Sequence, residues 1–389
     1  MLLYKAICTV EKSGNSLSTQ EIIPINKIVL DVEEIRAVAQ VLRSSVLTTR
    51  HGSGINVMKF ENAFSTYIGT KYAVAVNSGT AALHAALLAA DIGIDDEVLV
   101  PSFTFVATIE AVVLTTAKPV FVDIDPQTYC LDPNEIEGAI TSKTKAILPV
   151  HIYGLTAEMD KIMAIAQEHN LLVIEDAAQA HGATYGDKFS GNIGDEGCFS
   201  FYGGKNMTTG EGGMVTTNSR ELFTTLRAVR NHGEINEYQS NMIGHNYRMP
   251  EIEAAIGSVQ LSKLPRFLEL RRKNAKILSE LLEDIDGIQL PVAPSRCEHS
   301  WYVFTIRLLG VNASKRNKVL EKIRSKRVDA RIYYPKPVHL FPYYQKRFGF
   351  SLLPKTETVA RQVFSLPVHP GLSEKDLNQI ASVVKTSLN

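Results

Sequence analysis

Apolar residues in this chain gather into short unbroken runs, separated by longer stretches of helical character. YAVAV (72–76), VLVP (98–101), PVFVDI (119–124), KAILPVHI (145–152) and LLVIED (171–176) are each of strand length. They do not alternate apolar with polar residues, so both faces of each strand are expected to be covered. That pattern fits a mostly parallel sheet between helices. Helix formers separate the runs. They are AALHAALLAA after the turn Asn77-Ser78-Gly79-Thr80, residues 104–115, residues 133–141 opened by Asp132 and Pro133, and residues 158–169. From residue 250 the pattern changes. A long helical stretch at 250–284, interrupted by Pro265, leads to a strand at 301–309, a helix at 314–326, a strand at 329–334 and a C-terminal helix from Glu374. The expected fold class is α/β. It comprises a polar N-terminal arm (1–25), where Ser13, Gly14, Asn15, Ser16 and Ser18 cluster, a large α/β domain (26–264) and a smaller C-terminal α+β domain (265–389).

Composition narrows the function. Of 389 residues, 45% are hydrophobic and 21% charged, the balance of a folded chain long enough for two domains. Lys plus Arg and Asp plus Glu both number 41, so there is no basic excess to favour nucleic acid. No apolar run is long enough for a bilayer, and the N-terminus lacks a signal-peptide pattern. No membrane partner is therefore expected. Cys8, Cys130, Cys198 and Cys297 lie far apart, which disfavours a zinc site or a disulfide framework and fits the cytoplasm. No metal is expected.

Several familiar motifs fail on inspection. Gly204-Lys205 lacks the earlier glycine and the following hydroxyl of a phosphate-binding P-loop, since Phe199 and Asn206 stand there. Gly210-Glu211-Gly212-Gly213 lacks dinucleotide spacing, and neither HExxH nor GxSxG occurs. What remains is a set of segments that fit one aldehyde cofactor. Lys205 follows a short strand in the glycine-rich FSFYGGKNMTTGEGG, where a partly desolvated amine can condense with an aldehyde. Asp176 ends the LLVIED strand, and a carboxylate there can keep a pyridine nitrogen protonated. Gln179 could bond the ring hydroxyl. Ser78, Gly79 and Thr80 open a helix, whose N-terminus suits a phosphate, and Ser200 could donate to the same group. Phe105 lies just past a strand end, where its ring could stack on a flat cofactor. Taken singly, each residue has a plainer reading: a surface lysine, a structural ion pair, an N-cap, a packed ring.

Together the segments resemble the DegT/DnrJ/StrS family of nucleotide-sugar aminotransferases, which use pyridoxal 5'-phosphate (PLP). The resemblance rests on VNSGTAALHAAL, VPSFTFVAT, VFVDID, LPVHIYG, VIEDAAQAHGA, CFSFYGGKNMTTGEGGMV, RNHG and GHNYRMPEIEAAIG, between residues 55 and 257. It implies the fold type I architecture of aspartate aminotransferase, with active sites shared across a homodimer. Lys205 is then the lysine that binds PLP covalently and shuttles the proton. Asp176 faces the ring nitrogen, Gln179 the ring oxygen and Phe105 the ring plane. Ser78, Gly79, Thr80 and Ser200 hold the phosphate, and Asn246 reaches it from the neighbouring subunit. The resemblance implies transfer of an amino group from L-glutamate to a keto group of a nucleotide-linked deoxysugar, with TTGEGG leaning towards C4. His151, Tyr153, Tyr202, Arg230 and His339 lie in or beside matching motifs as substrate contacts, with a packed structural role as the alternative for His339. Gly203-Gly204 departs from the bulkier residues frequent before the lysine, which bears on the sugar accepted. The rival readings are a PLP-dependent dehydratase or elimination enzyme, and a ligand-sensing regulatory protein.

Overall fold

The computed structural model describes residues 22–48 and 54–388. Most of the expected arm, residues 1–21, lies outside the described residues, as does Cys8. Where the description begins, Ile23 is buried and its backbone N–H donates to the Arg327 carbonyl at 2.9 Å.

Seven strands form the central sheet: β1 (Tyr72–Val76), β2 (Glu97–Pro101), β3 (Lys118–Val122), β4 (Thr144–Ile147), β5 (Leu172–Asp176), β6 (Glu196–Ser200) and β7 (Gly213–Thr217). Their spatial order is β1-β7-β6-β5-β4-β2-β3. Only β7 runs against its neighbours, and every other pairing is parallel. Consequently β1, β2, β5 and β6 all point their carboxyl ends to one edge, where ligands of such sheets bind. Helices cover both faces, so alternate strand residues enter different cores. Val74 and Val76 face one core, and Ala73 and Ala75 the other. The sequence signals β6 only as a short strand before Lys205, and β7 not at all. EGCFS and GMVTT are fully buried, but each mixes glycine and polar residues with its few apolar ones, so neither reads as an apolar run.

Three expected elements differ. Residues 133–141 form two 3-10 turns, Pro133–Glu135 and Glu137–Ala139, instead of a helix. Gly138 sits in the middle of the segment, and glycine costs a helix about 1 kcal/mol relative to alanine. The long helix Glu251–Leu282 runs unbroken through Pro265. Leu261, Leu264, Phe267 and Leu268 are buried around the proline, and this packing outweighs the lost hydrogen bond. The run 329–334 forms no strand. It keeps one bridge, between Arg331 and Ser365, and then turns Tyr333 and Tyr334 towards the sheet edge.

The C-terminal part has its own core around an antiparallel sheet of Ile288–Gln289, Phe304–Leu308 and Val363–Leu366, with helices Ala313–Ser325 and Glu374–Leu388. Glu251–Leu282 spans both regions. Leu261, Leu264 and Leu268 enter a core of the seven-stranded sheet, whereas Ala275, Leu278 and Leu282 enter the C-terminal core. The expected division at 264/265 falls inside this helix. No helix among the described residues is long and apolar enough to cross a membrane.

One buried carboxylate fixes the loop between β5 and β6. Glu175 Oε1 accepts from the N–H groups of Ile193 (2.8 Å) and Gly194 (2.7 Å), and Oε2 accepts from Gly191 (2.7 Å). Glu175→Gln would set an amide NH2 against at least one of these donors. The expected cost is about 2–3 kcal/mol, read as a lower urea midpoint at unchanged slope. An unchanged midpoint would show that the loop is held by other contacts.

Candidate active site

At the carboxyl edge of the sheet lies a cavity of about 560 Å³. Strand ends and the turns after them supply its walls. Asp176 ends β5, Ser200 ends β6, Ser78–Thr80 follow β1, and Thr104 and Phe105 follow β2. Lys205 enters from the turn after β6, which closes with its own N–H donating to the Tyr202 carbonyl at 2.9 Å. The structure therefore brings together Ser78, Gly79, Thr80, Phe105, Asp176, Gln179, Ser200, Tyr202 and Lys205 around one space.

Glycines allow the close approach between the Ser78–Thr80 segment and the ends of β6 and β7. A Cβ on Gly79 would lie 2.6 Å from the Ser200 Cβ, and one on Gly213 would lie 2.2 Å from the Ser78 carbonyl oxygen. Both distances are below any real contact, so this cup closes only without side chains there. Ser78 is the N-cap of helix Gly79–Ala89, its hydroxyl accepting from Ala81 N–H at 3.0 Å. Capping here is compatible with an anion, because the first N–H groups of a helix have no intrahelical partner.

Burial shifts two ionisable groups on this cavity. Asp176 is 5% exposed, and desolvation raises its carboxyl above the ordinary range. Thr108 Oγ1 donates to Oδ2 at 2.8 Å and Ala178 N–H to Oδ1 at 3.1 Å, which pulls the other way. Thr104 Oγ1 lies 2.7 Å from Thr108 Oγ1 and extends the chain of hydroxyls. Lys205 is half-buried over its whole length, but its amine faces the cavity 4.8 Å from the Tyr302 ring centroid. Desolvation brings the amine down to about 8, against a smaller opposing pull from Asp176. Gln179 is held at both ends. Its Oε1 accepts from Tyr153 N–H at 2.8 Å and its Nε2 donates to the Tyr334 hydroxyl at 3.1 Å, leaving one amide hydrogen. Phe105 is 55% exposed at the mouth, its ring 6.0 Å from that of Tyr334.

Five residues expected at the site do not line this cavity. His151 is fully buried with Nε2 2.8 Å from Glu175 Oε2, while Nδ1 accepts from Ala157 N–H at 3.1 Å. It belongs with Glu175, on the face of β5 opposite Asp176, because successive strand residues alternate. Tyr153 is buried and acts behind the wall. Its N–H holds Gln179 and its hydroxyl donates to the Tyr333 carbonyl. Arg230 is buried against Glu61 at 2.5 Å and the Ala75 carbonyl at 2.9 Å. His339 packs beneath the end of β2 with Nδ1 2.7 Å from Ser102 Oγ. Asn246 lies exposed on the segment that pairs with Asn231, outside its own chain's cavity.

Other lining residues escaped the sequence reading. Thr108 sits one turn after Thr104 within VPSFTFVAT, a spacing that puts two hydroxyls on one side of a helix start. The helix begins at Val106, so Phe105 is free to face the cavity. Tyr302, Tyr333 and Tyr334 come from the C-terminal part, and nothing local in the sequence marks them. Glu211, in TTGEGG, completes the rim.

The residues fit PLP. A glycine-lined cup at a helix start suits its phosphate, a buried carboxylate suits a cationic ring nitrogen, and a desolvated amine suits its aldehyde. Removing the Thr108 donor should move the Asp176 carboxyl further up, since that bond favours the charged form. Titration of the carboxyl by ¹³C NMR in apoprotein Thr108→Val should show a higher midpoint than the parent, and an unchanged midpoint would remove Thr108 from the account.

Residues 29–385 match the profile of the DegT/DnrJ/EryC1/StrS aminotransferase family. The chain is 43% identical to the UDP-N-acetyl-3-dehydro-alpha-D-glucosamine 3-aminotransferase of Acidithiobacillus ferrooxidans, covering 82% of this chain and 85% of that protein. It is 40% identical to the GDP-perosamine synthase of Caulobacter vibrioides, covering 84% and 89%. The structure of DesV from S. venezuelae superposes with a TM-score of 0.90 at 36% identity, covering 95% of this chain and 99% of that one.

Proposed function

This chain belongs to the DegT/DnrJ/EryC1/StrS aminotransferase family, and on that premise we propose that it moves an amino group from L-glutamate to a keto group of a nucleotide-linked deoxysugar. It is a PLP-dependent aminotransferase with the fold of type I PLP enzymes. The observation that carries the proposal is the placing of Lys205 and Asp176 on one cavity beside the Ser78–Thr80 cup. When bound, PLP supplies an aldehyde that takes up amino groups and a ring that delocalises the negative charge left by proton removal.

The chain's own residues do the rest. Ser78, Gly79, Thr80 and Ser200 hold the phosphate, with Asn246 of a second copy completing the cup. Asp176 keeps a proton on the ring nitrogen. The Thr108 and Ala178 donors hold its carboxylate, so it stays ionised beside a cation despite burial. Gln179 turns its remaining amide hydrogen to the ring oxygen, and Phe105 covers the ring plane. Lys205 Nζ takes a proton from the donor's α-carbon and returns it on the other side of the transferred nitrogen. That is general acid–base work suited to an amine tuned towards neutrality.

Sugar selection falls to Tyr202, Glu211, Tyr302, Tyr333 and Tyr334 around the mouth. The relatives' names span uridine- and guanosine-linked substrates, and one of them specifies position 3. For this chain C4 is supported by the TTGEGG segment. The proposed setting is amino-sugar and surface-polysaccharide biosynthesis in the cytoplasm, by a homodimer.

Mass spectrometry of products from a panel of nucleotide-linked keto sugars with glutamate tests the reaction. The expected result is an amino sugar formed one-for-one with the keto acid of the donor. Water loss without glutamate consumption would point instead to a dehydratase. Lys205→Ala should abolish both the long-wavelength cofactor band and the transfer, and retained transfer would overturn the role of Lys205. The pH dependence follows from the same amine. Only its unprotonated form attacks an aldehyde, so uptake of PLP by the apoprotein should quicken with rising pH, reach half its plateau at about 8 and level off roughly one unit higher. At pH 7.5 about a quarter of the molecules carry the free amine, against roughly one in a thousand for an ordinary lysine. Uptake that keeps rising beyond pH 9.5 would show an unshifted amine.

A further inference from the structure

The turn that carries Lys205 is tied down by residues far away in sequence. Asn26 Nδ2 donates to the carbonyl of Gly204 at 2.9 Å, fixing the peptide just before the lysine. On the other side, Asn206 Nδ2 donates to the Ser300 carbonyl at 2.9 Å. Between these anchors lies Arg271, 2% exposed in the middle of helix Glu251–Leu282. Its Nη2 donates to Asn26 Oδ1 at 3.3 Å, and its Nη1 donates to the carbonyls of Trp301 (3.0 Å) and Tyr302 (3.2 Å). No carboxylate among the described residues pairs with this guanidinium, and burial brings it down to about 10. A buried guanidinium without a counter-ion is costly, and every partner it has belongs to a segment touching Lys205 or the ring beside its amine. Arg271 and Lys205 also border the same small cavity, of about 10 Å³.

We propose that Asn26 and Arg271 are positioning residues for the Lys205 amine. Arg271 locks the Asn26 amide so that it can grip the Gly204 carbonyl, and the same guanidinium holds the backbone at 301–302 that sets the Tyr302 ring 4.8 Å from Nζ. The clamp joins three distant stretches: the first described residues of the chain, the long helix, and the entry to the C-terminal sheet. Glycines at 203 and 204 leave the turn little stiffness of its own, because glycine is the least restricted residue. A Cβ at Gly204 would meet nothing nearer than 3.4 Å, so packing alone does not hold that peptide. Beyond the turn's own Lys205 N–H bond to the Tyr202 carbonyl, external hydrogen bonds supply the order.

Asn26→Asp separates a positioning role from a structural one. The carboxylate keeps, and strengthens, the contact with Arg271, so thermal stability should hold or rise. It cannot donate to the Gly204 carbonyl, so the turn is released. The expected result is a kcat at least roughly tenfold lower with donor KM little changed, as small misplacements of reacting groups produce. In the apoprotein the Lys205 amine, followed by ¹³C reductive methylation and NMR, should titrate above its present value of about 8, because a released lysine regains water. Asn26→Ala should shift the amine the same way. The proposal is overturned if Asn26→Asp keeps the parent kcat and titration midpoint, or if kcat falls only in step with melting temperature. The inference rests on Lys205 being the reacting amine, but the apoprotein titration reads the clamp alone. Its failure is thus distinguishable from a failure of the Lys205 assignment, which Lys205→Ala tests.

Discussion

The site depends on removing one acid and one amine from water beside the same cavity. Left in solvent, Asp176 and Lys205 would be an ordinary carboxylate and an ordinary ammonium. Burial moves the acid up and the amine down, narrowing the gap between them. Burial lowers the amine to about 8 and raises the acid above its ordinary range, while the Thr108 and Ala178 donors favour the charged carboxylate. The surrounding fold can be read as the means of holding this pair apart from bulk water without letting it collapse into a salt bridge. Thr108 and Ala178 occupy the carboxylate, while the Tyr302 ring rather than a counter-ion lies beside the amine.

The sheet makes that arrangement possible. Because β1, β2, β5 and β6 are mutually parallel, four strand ends bring four different groups to one edge. These are the Ser78–Thr80 cup, Phe105, Asp176 and the turn bearing Lys205. The antiparallel β7 threads between β1 and β6, and its first residue, Gly213, passes so near Ser78 that any side chain would break the cup. The C-terminal part then closes the cavity with tyrosines, and the long helix through Pro265 links the two cores. The same helix carries Arg271 to the back of the lysine turn.

Much of this was legible in the sequence wherever the chemistry and the local pattern coincide. The runs at 72–76, 98–101, 119–124 and 171–176 hold strands, and residues at or just past the ends of the first, second and fourth are among those that meet at the cavity. Legibility failed where a partner lies far along the chain. His151 and Glu175 sit in different strand-end segments, and only the register of the sheet reveals that they pair with each other. Arg230 and His339 likewise satisfy buried partners, Glu61 and Ser102, that no spacing rule connects. Tyr333 and Tyr334 could not be foreseen because their segment reads as a strand and instead turns inward, and Tyr302 because it sits just before the strand Phe304–Leu308, far along the chain from the cavity's other walls. Residues 133–141 misled for a local reason, since a good cap and an N-terminal proline could not offset Gly138.

The most direct measurement is peptide mapping after borohydride reduction of the purified protein loaded with PLP. The account predicts that the cofactor's mass is found on one peptide, the one containing Lys205. Label on a different lysine, or no covalent label at all, would contradict it.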